Sequence, residues 1–468
     1  MPVLNAQSAP AGSGKPLLVW LGVGVLLFAA ALPALGGPRA DDLQFAKSAY
    51  VLKSAVFAPG ARERAVSFIE RSAVTADKMT REQFLLCVLQ IAAFADNGHD
   101  TENDSSGAWW PAARLPVRML WFEDEWVIAR ADAANADLLG ARVLSIENHS
   151  PREVFSRLRK YWGGLDTYRR WNLEPSIVEQ AGMLHAAGLA RRADRLSLQV
   201  QKADGQREQR TLRFVPKSTL PPGQIFERIW SPAPWPGDAE KGWRSFTPPA
   251  TPLYLADGER LFRVERVAAL NSLFVQMRVH FDMDGQSVAD FRQRVDAEIA
   301  AFQPRNLIVD LRFDTGGDTD LTRDWQRALA AEVPGRLYVL VSRHTFSAGI
   351  VAAAAFKHDA PARARIVGEA VGDRLRWWSE GDNVCMPNSH YCLHLTTGLW
   401  DLVHGCAAEA ACYGDKYDAR VADLDADLEA PITAGSWLTG HDPGMEAIER
   451  ELAVQPSSDT PHRSRQTE

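Results

Sequence analysis

Asn306-Leu307-Ile308-Val309-Asp310-Leu311-Arg312-Phe313-Asp314-Thr315-Gly316-Gly317-Asp318 and Leu337-Tyr338-Val339-Leu340-Val341-Ser342-Arg343-His344-Thr345-Phe346-Ser347-Ala348-Gly349 decide how this chain folds. Each opens as a short apolar run of strand type and closes in a turn loaded with polar residues and glycine. After Ser347 the residues turn small and helix-forming, Ile350-Val351-Ala352-Ala353-Ala354-Ala355-Phe356. A serine at a strand-to-helix junction ordinarily caps the helix. It also sits beside free N–H groups at the positive end of the helix dipole. Gly316-Gly317, at the end of the neighbouring strand, offers a further N–H with no side chain in the way. A hydroxyl beside N–H donors is the minimum equipment for acyl transfer.

Outward from this stretch, strands and helices alternate from Phe262 to about Leu452. Ser272 to Met277 reads as a strand, Ser287 to Phe302 as a helix and Gly444 to Leu452 as the last helix. Alternation of this kind predicts an α/β unit, a mostly parallel sheet with helices packed on it. Upstream, residues 40–115 read as a helical unit, with Thr80-Arg81-Glu82-Gln83 in capping-box form and His99 in the polar loop that follows. Residues 116–215 read as a small β-rich module, with runs at Glu125–Ala129, Ala141–Ile146 and Leu196–Val200. Residues 216–261 carry enough proline and tryptophan to predict an irregular connector. Residues 453–468 form a polar tail expected to be disordered.

At 468 residues the chain is too long for one core, and 46% hydrophobic residues with 15 tryptophans suffice for several. A net charge of −7 leaves no basic footprint for nucleic acid. Residues 1–39 read as a signal peptide or a membrane anchor: Pro16 to Leu35 is apolar throughout and follows Lys15, with Ala34-Leu35-Gly36 as a cleavage site. Either reading exports the rest of the chain to a periplasmic or other extracytoplasmic compartment, and the anchor would tie it to a membrane. Cys385, Cys392, Cys406 and Cys412 match no zinc spacing and are expected to form two disulfides, with three pairings open. Cys87 reads as a buried apolar residue. No metal or organic cofactor is implied.

Asn306 to Arg312 with Gly316-Gly317 resembles the Asp-Leu-Arg … Gly-Gly motif of the C-terminal processing and tricorn-type serine peptidases. Thr345-Phe346-Ser347-Ala348 resembles their nucleophile motif, and Ile366-Val367-Gly368-Glu369 the strand that follows it. Met386-Pro387-Asn388-Ser389 and Gly440-His441-Asp442-Pro443 are similar to later landmarks. Asn97-Gly98-His99-Asp100 resembles the Asp-Gly-His-Thr loop of members that are not processing enzymes, and Gly140 to Ile146 sits where a PDZ-like module is usual. The resemblance implies a crotonase-like catalytic core over 262–452, a PDZ-like module over 116–215 and a polypeptide substrate.

The resemblance also bears on the base. The processing members use a lysine downstream of the serine, but no lysine lies between Lys357 and Lys416. The corresponding stretch is Gly372-Asp373-Arg374, and an arginine does not release its proton. The histidine-using branch remains, with His99 as its base. The expectation is therefore an exported serine hydrolase, a peptidase. Ser347 is the nucleophile, His99 the base, Glu369 an orienting acid, and the N–H groups of Gly316, Gly317 and Ala348 the oxyanion hole. His344 is a rival base by proximity, Asp96 a weaker orienting acid, and Asp310 and Arg312 are read as holding strand ends together. Two departures, Ala348-Gly349-Ile350 after the serine and Gly98 before the histidine, motivate the alternative of a catalytically inactive peptide-binding or scaffold protein on the same fold.

Overall fold

The computed structural model describes residues 37–101, 109–122, 124–221 and 230–454. The chain is a mixed α/β protein with several sheets. The expected N-terminal signal or anchor falls almost wholly outside the described residues, as does nearly all of the tail. Among the described residues no helix is long and apolar enough to cross a membrane.

The chain first builds helices at Pro38–Ala46, Pro59–Ala73 and Arg81–Ala93. Thr80 starts the third through the expected capping box: its Oγ1 accepts the Gln83 N–H at 3.2 Å, and Gln83 Oε1 accepts the Thr80 N–H at 2.9 Å. This helix is apolar nearly all round, from Phe84 to Leu89, and is buried accordingly. An antiparallel sheet follows in the order Val117–Phe122, Glu125–Asp132, Arg142–Ile146, Arg195–Gln201, Arg207–Arg213. The connector is less irregular than its prolines predict. Within it Trp243–Ser245 adds antiparallel to Arg130–Asp132, and Trp243 is buried with the Arg118 guanidinium over its ring. One apolar core joins helices and sheet, with Leu85, Ile91, Ile128, Val143 and Leu198 in the same cluster as Phe346 and Tyr391.

The second large sheet runs Leu428–Glu429, Ala364–Gly368, Leu337–Val341, Asn306–Asp310, Ser272–Met277, Phe262–Val267. Every pairing is parallel except the last, where Phe262–Val267 returns antiparallel to Ser272–Met277. Alternation along the strands fills two cores. Leu307 and Val309 face the layer of Val288–Phe302, Arg323–Glu332 and Ala348–Asp359, whereas Ile308 and Tyr338 face Ile448 of Pro443–Val454. Each fully buried Val or Ile of this kind contributes about 1.5–3 kcal/mol. Register Leu307↔Leu337 brings the two loaded turns to the same edge of the sheet.

The four C-terminal cysteines form Cys385–Cys392, across the hairpin Asp382–Cys385/Cys392–Leu395, and Cys406–Cys412. Cys87 is free and buried.

Candidate active site

The turn after Leu337–Val341 is tied to its neighbour by hydroxyl bonds. The Thr345 Oγ1 accepts the Ser342 N–H at 2.9 Å and donates to the Leu311 carbonyl at 2.8 Å. The Phe346 N–H donates to the Asp314 carbonyl at 2.9 Å. Held on both sides, Ser347 adopts φ 54° and ψ −124°, a conformation that costs a non-glycine residue roughly 1–3 kcal/mol and concentrates at functional sites. Its hydroxyl makes no capping bond to the helix it precedes. Ser347 is half-buried where its neighbours are buried.

Gly316, at φ +96°, lies against this serine. A Cβ there would come within 2.6 Å of Ser347 Cβ and 2.9 Å of the Ala348 nitrogen, so only glycine fits. The three expected oxyanion donors are not equivalent. The Gly316 N–H is already given to Asp314 Oδ1 at 2.9 Å. The N–H groups of Gly317 and Ala348 have no acceptor among the described residues.

The His99 loop reaches the serine's neighbour. The His99 ring stacks on Phe346 with centroids 4.4 Å apart, and Tyr168 stacks on Phe346 at 4.2 Å. Two rings cannot share one face at that spacing, so Phe346 is sandwiched between them. Both His99 nitrogens are shielded from solvent and have no hydrogen-bond partner among the described residues, and no bond joins them to Ser347. Burial, with His394 nearby, pushes the His99 pKa down to about 3, so the imidazole is neutral at ordinary pH.

The loop itself is fastened to residues 373–378. Asn97 Nδ2 donates to the Trp378 carbonyl at 2.8 Å, and the Trp378 N–H donates to Asn97 Oδ1 at 3.0 Å. Arg374 holds Asp96, and Asp100 accepts from Tyr50, Asn97 and Thr396. Asp373 is buried beneath Gly98, where an added Cβ would meet its Oδ2 at 2.7 Å. Burial pushes the Asp373 pKa up to about 6, against the lowering effects of Arg374 and the Gly98 N–H.

Glu369 is not with His99. Its carboxylate takes a two-pronged bond from Arg343, at 2.7 and 3.1 Å, because Arg343 lies one strand away and offers a matching planar fork. Asp96, likewise, is held by Arg169 and Arg374 and not by the histidine. The rival His344 is boxed by Trp171, Trp230 and Phe313 with centroids 4.6–5.4 Å away. Its nitrogens are buried without partners among the described residues, and burial holds its pKa well below the usual value. Arg312 bonds Asp310 at 2.9 Å and Asp442 at 2.6 Å, joining the strand end to the turn before Pro443–Val454. Sequence reasoning missed Asp373 and Asp314. The signal for the first was the replaced Gly372-Asp373-Arg374 stretch; for the second, an acidic residue two positions before a glycine whose N–H needs an acceptor.

No family model matches the sequence, and no curated protein matches it. Solved structures do. Mature CPAF superposes with a TM-score of 0.56 at 12% identity, over 89% of this chain and 96% of that one. Mature CPAF complexed with lactacystin gives 0.55 at 12%, over 89% and 98%. The photosystem II D1 C-terminal processing protease gives 0.39 at 12%, over 90% and 98%. The chain therefore has the fold of CPAF over most of its length.

Proposed function

We propose that this protein is a serine peptidase of the C-terminal processing and tricorn type, using histidine and not lysine as its base. The observation that carries the reading is Ser347 held in a strained backbone conformation, uncapped and against Gly316, while the N–H groups of Gly317 and Ala348 have no acceptor among the described residues. The CPAF-like fold and the motif resemblance support it. In this reading Ser347 Oγ attacks the peptide carbonyl, and the carbonyl oxygen, now negative, is held by Gly317 and Ala348 N–H. His99 takes the serine proton and passes it to the leaving amine, after which water releases the acyl group by the same route. The neutral His99 fits a base, and closing its gap to Ser347 falls to substrate binding. Asp373, in place of Glu369, is the carboxylate that steadies the histidine loop.

We further read residues 262–452 as a crotonase-like core and 116–215 as a PDZ-like module that gates or recognises the polypeptide. The protein is read as exported, possessing a cleaved or anchoring leader, and the two disulfides support an oxidising compartment.

A fluorophosphonate probe tests the central claim. Wild type should be labelled, Ser347→Ala should not, and His99→Ala should label far more slowly. Labelling that survives Ser347→Ala sinks the assignment. A wild type that binds peptide but never reacts supports the inactive scaffold, which the lack of a hydrogen bond between His99 and Ser347 favours.

A further inference from the structure

Gly316 is clamped at its carbonyl and at its N–H by one buried pair, His280 and Asp314. The His280 main-chain N–H donates to the Gly316 carbonyl at 2.8 Å. Across a trans peptide the carbonyl and the following N–H point in opposite directions. With the Gly316 oxygen fixed on the His280 N–H, the Gly317 N–H must aim away from His280. At the other end, the Gly316 N–H is fixed on Asp314 Oδ1 at 2.9 Å. Asp314 Oδ2 in turn meets His280 Nε2 at 2.8 Å, and His280 Nδ1 meets Thr322 Oγ1 at 2.8 Å.

The Asp314 carboxylate accepts from the Gly316 N–H and suits a proton on Nε2, while Nδ1 pairs with the Thr322 hydroxyl. Neither side chain touches solvent, with His280 1% and Asp314 0% exposed. Asp314 also carries the serine turn, since its carbonyl accepts the Phe346 N–H, and Gly349 packs on it closely enough that a Cβ would lie 2.7 Å from that carbonyl. One residue thus sets both halves of the oxyanion-binding turn.

We propose that Asp314, gripped by His280, is the positioning residue of the oxyanion hole: it consumes the Gly316 N–H so that the Gly317 N–H is the one presented with that of Ala348. The proposal rests on the serine-peptidase reading above. It leaves the nucleophile and base alone and assigns how transition-state charge is held.

The test uses the full chain and the kinetics of fluorophosphonate inactivation. In that reaction Ser347 Oγ bonds phosphorus, fluoride leaves, the serine proton passes to the base, and the phosphoryl oxygen takes the oxyanion position. Asp314→Ala should lower the maximal inactivation rate by about 10- to 1,000-fold, the range seen when one oxyanion donor is lost, with the probe's half-saturating concentration unchanged. Asp314→Asn keeps an acceptor for the Gly316 N–H and should recover most of the rate. His280→Phe keeps the shape of the pocket, loses the grip on Asp314, and should fall between them. If Asp314→Ala does not fold, His280→Phe decides. A folded Asp314→Ala or His280→Phe with the wild-type rate overturns the proposal while the serine-peptidase reading stands. Loss in Asp314→Ala without recovery in Asp314→Asn also overturns it, since the role is then only structural. A wild type that never reacts removes both readings.

Discussion

The Arg374 guanidinium holds Asp96 twice, through Nη2 to the carboxylate at 2.8 Å and Nη1 to the backbone carbonyl at 2.9 Å. Arg374 belongs to the stretch where the processing members of the resembled family would carry their lysine. In this chain that stretch docks the loop that carries His99. The ion pair is roughly half exposed on both sides, so its effect on stability is small. Its effect on where His99 stands is not. Arg374→Ala should cost at most about 1 kcal/mol of unfolding free energy yet slow fluorophosphonate labelling by roughly ten- to a hundredfold, as a displaced catalytic group does. Unchanged labelling at unchanged stability means the dock does not serve the site.

Asp373 makes stability depend on pH in the direction opposite to ordinary acid unfolding. Its pKa rises from 3.8 to about 6 on folding because it is buried. The stability it contributes is complete below about pH 3.8 and is lost as pH rises through 6. Asp373→Asn should therefore match wild type near pH 4 and exceed it by up to roughly 3 kcal/mol above pH 6, at 1.36 kcal/mol per unit. Denaturant melts at several pH values measure the difference, and a constant offset would contradict the burial argument. Labelling should slow in the same variant, whereas Glu369→Gln should leave it near wild type.

His344 pulls the other way. Held neutral by burial, it contributes stability present above its ordinary pKa and lost as pH falls below it, because the unfolded chain takes up a proton the folded one refuses. His344→Phe fills the same aromatic box without two orphaned nitrogens. It should label normally and be about 1 kcal/mol more stable at neutral pH, with the margin growing as the medium is acidified. A strong loss of labelling would return His344 to the role of base.

Thiol chemistry checks the cysteines. Denatured without reductant, the protein should expose the single thiol of Cys87; after reduction all five cysteines of the sequence should titrate. Three or five thiols before reduction would remove a disulfide, and with it the support for an oxidising compartment.

Much of the second large sheet was legible because its signals are local. Leu307 to Leu311 and Leu337 to Val341 are apolar runs bounded by turn residues, and Thr80 to Gln83 writes its own helix start. The strand at Trp243–Ser245 was hidden because it is short, lies among prolines and is held by partners far away at Arg130–Asp132. Acid partners were the least legible part of the site. Glu369 follows the expected strand, but which base it meets depends on Arg343 reaching it first. Asp314 lies in the turn after its strand, and that it also holds His280 follows only from the parallel pairing of two strands.

Phe346 shares a core with Phe84 and Leu85 of the first helices, and its ring lies on His99. A chain made from its amino terminus therefore carries His99 long before it carries Ser347, and the surface that brings the two segments together exists only once both have packed. A peptidase of the proposed kind would be harmless while incomplete. On that reading neither a stalled nascent chain nor a clipped half would retain the reaction, and the fold itself would keep activity from appearing early.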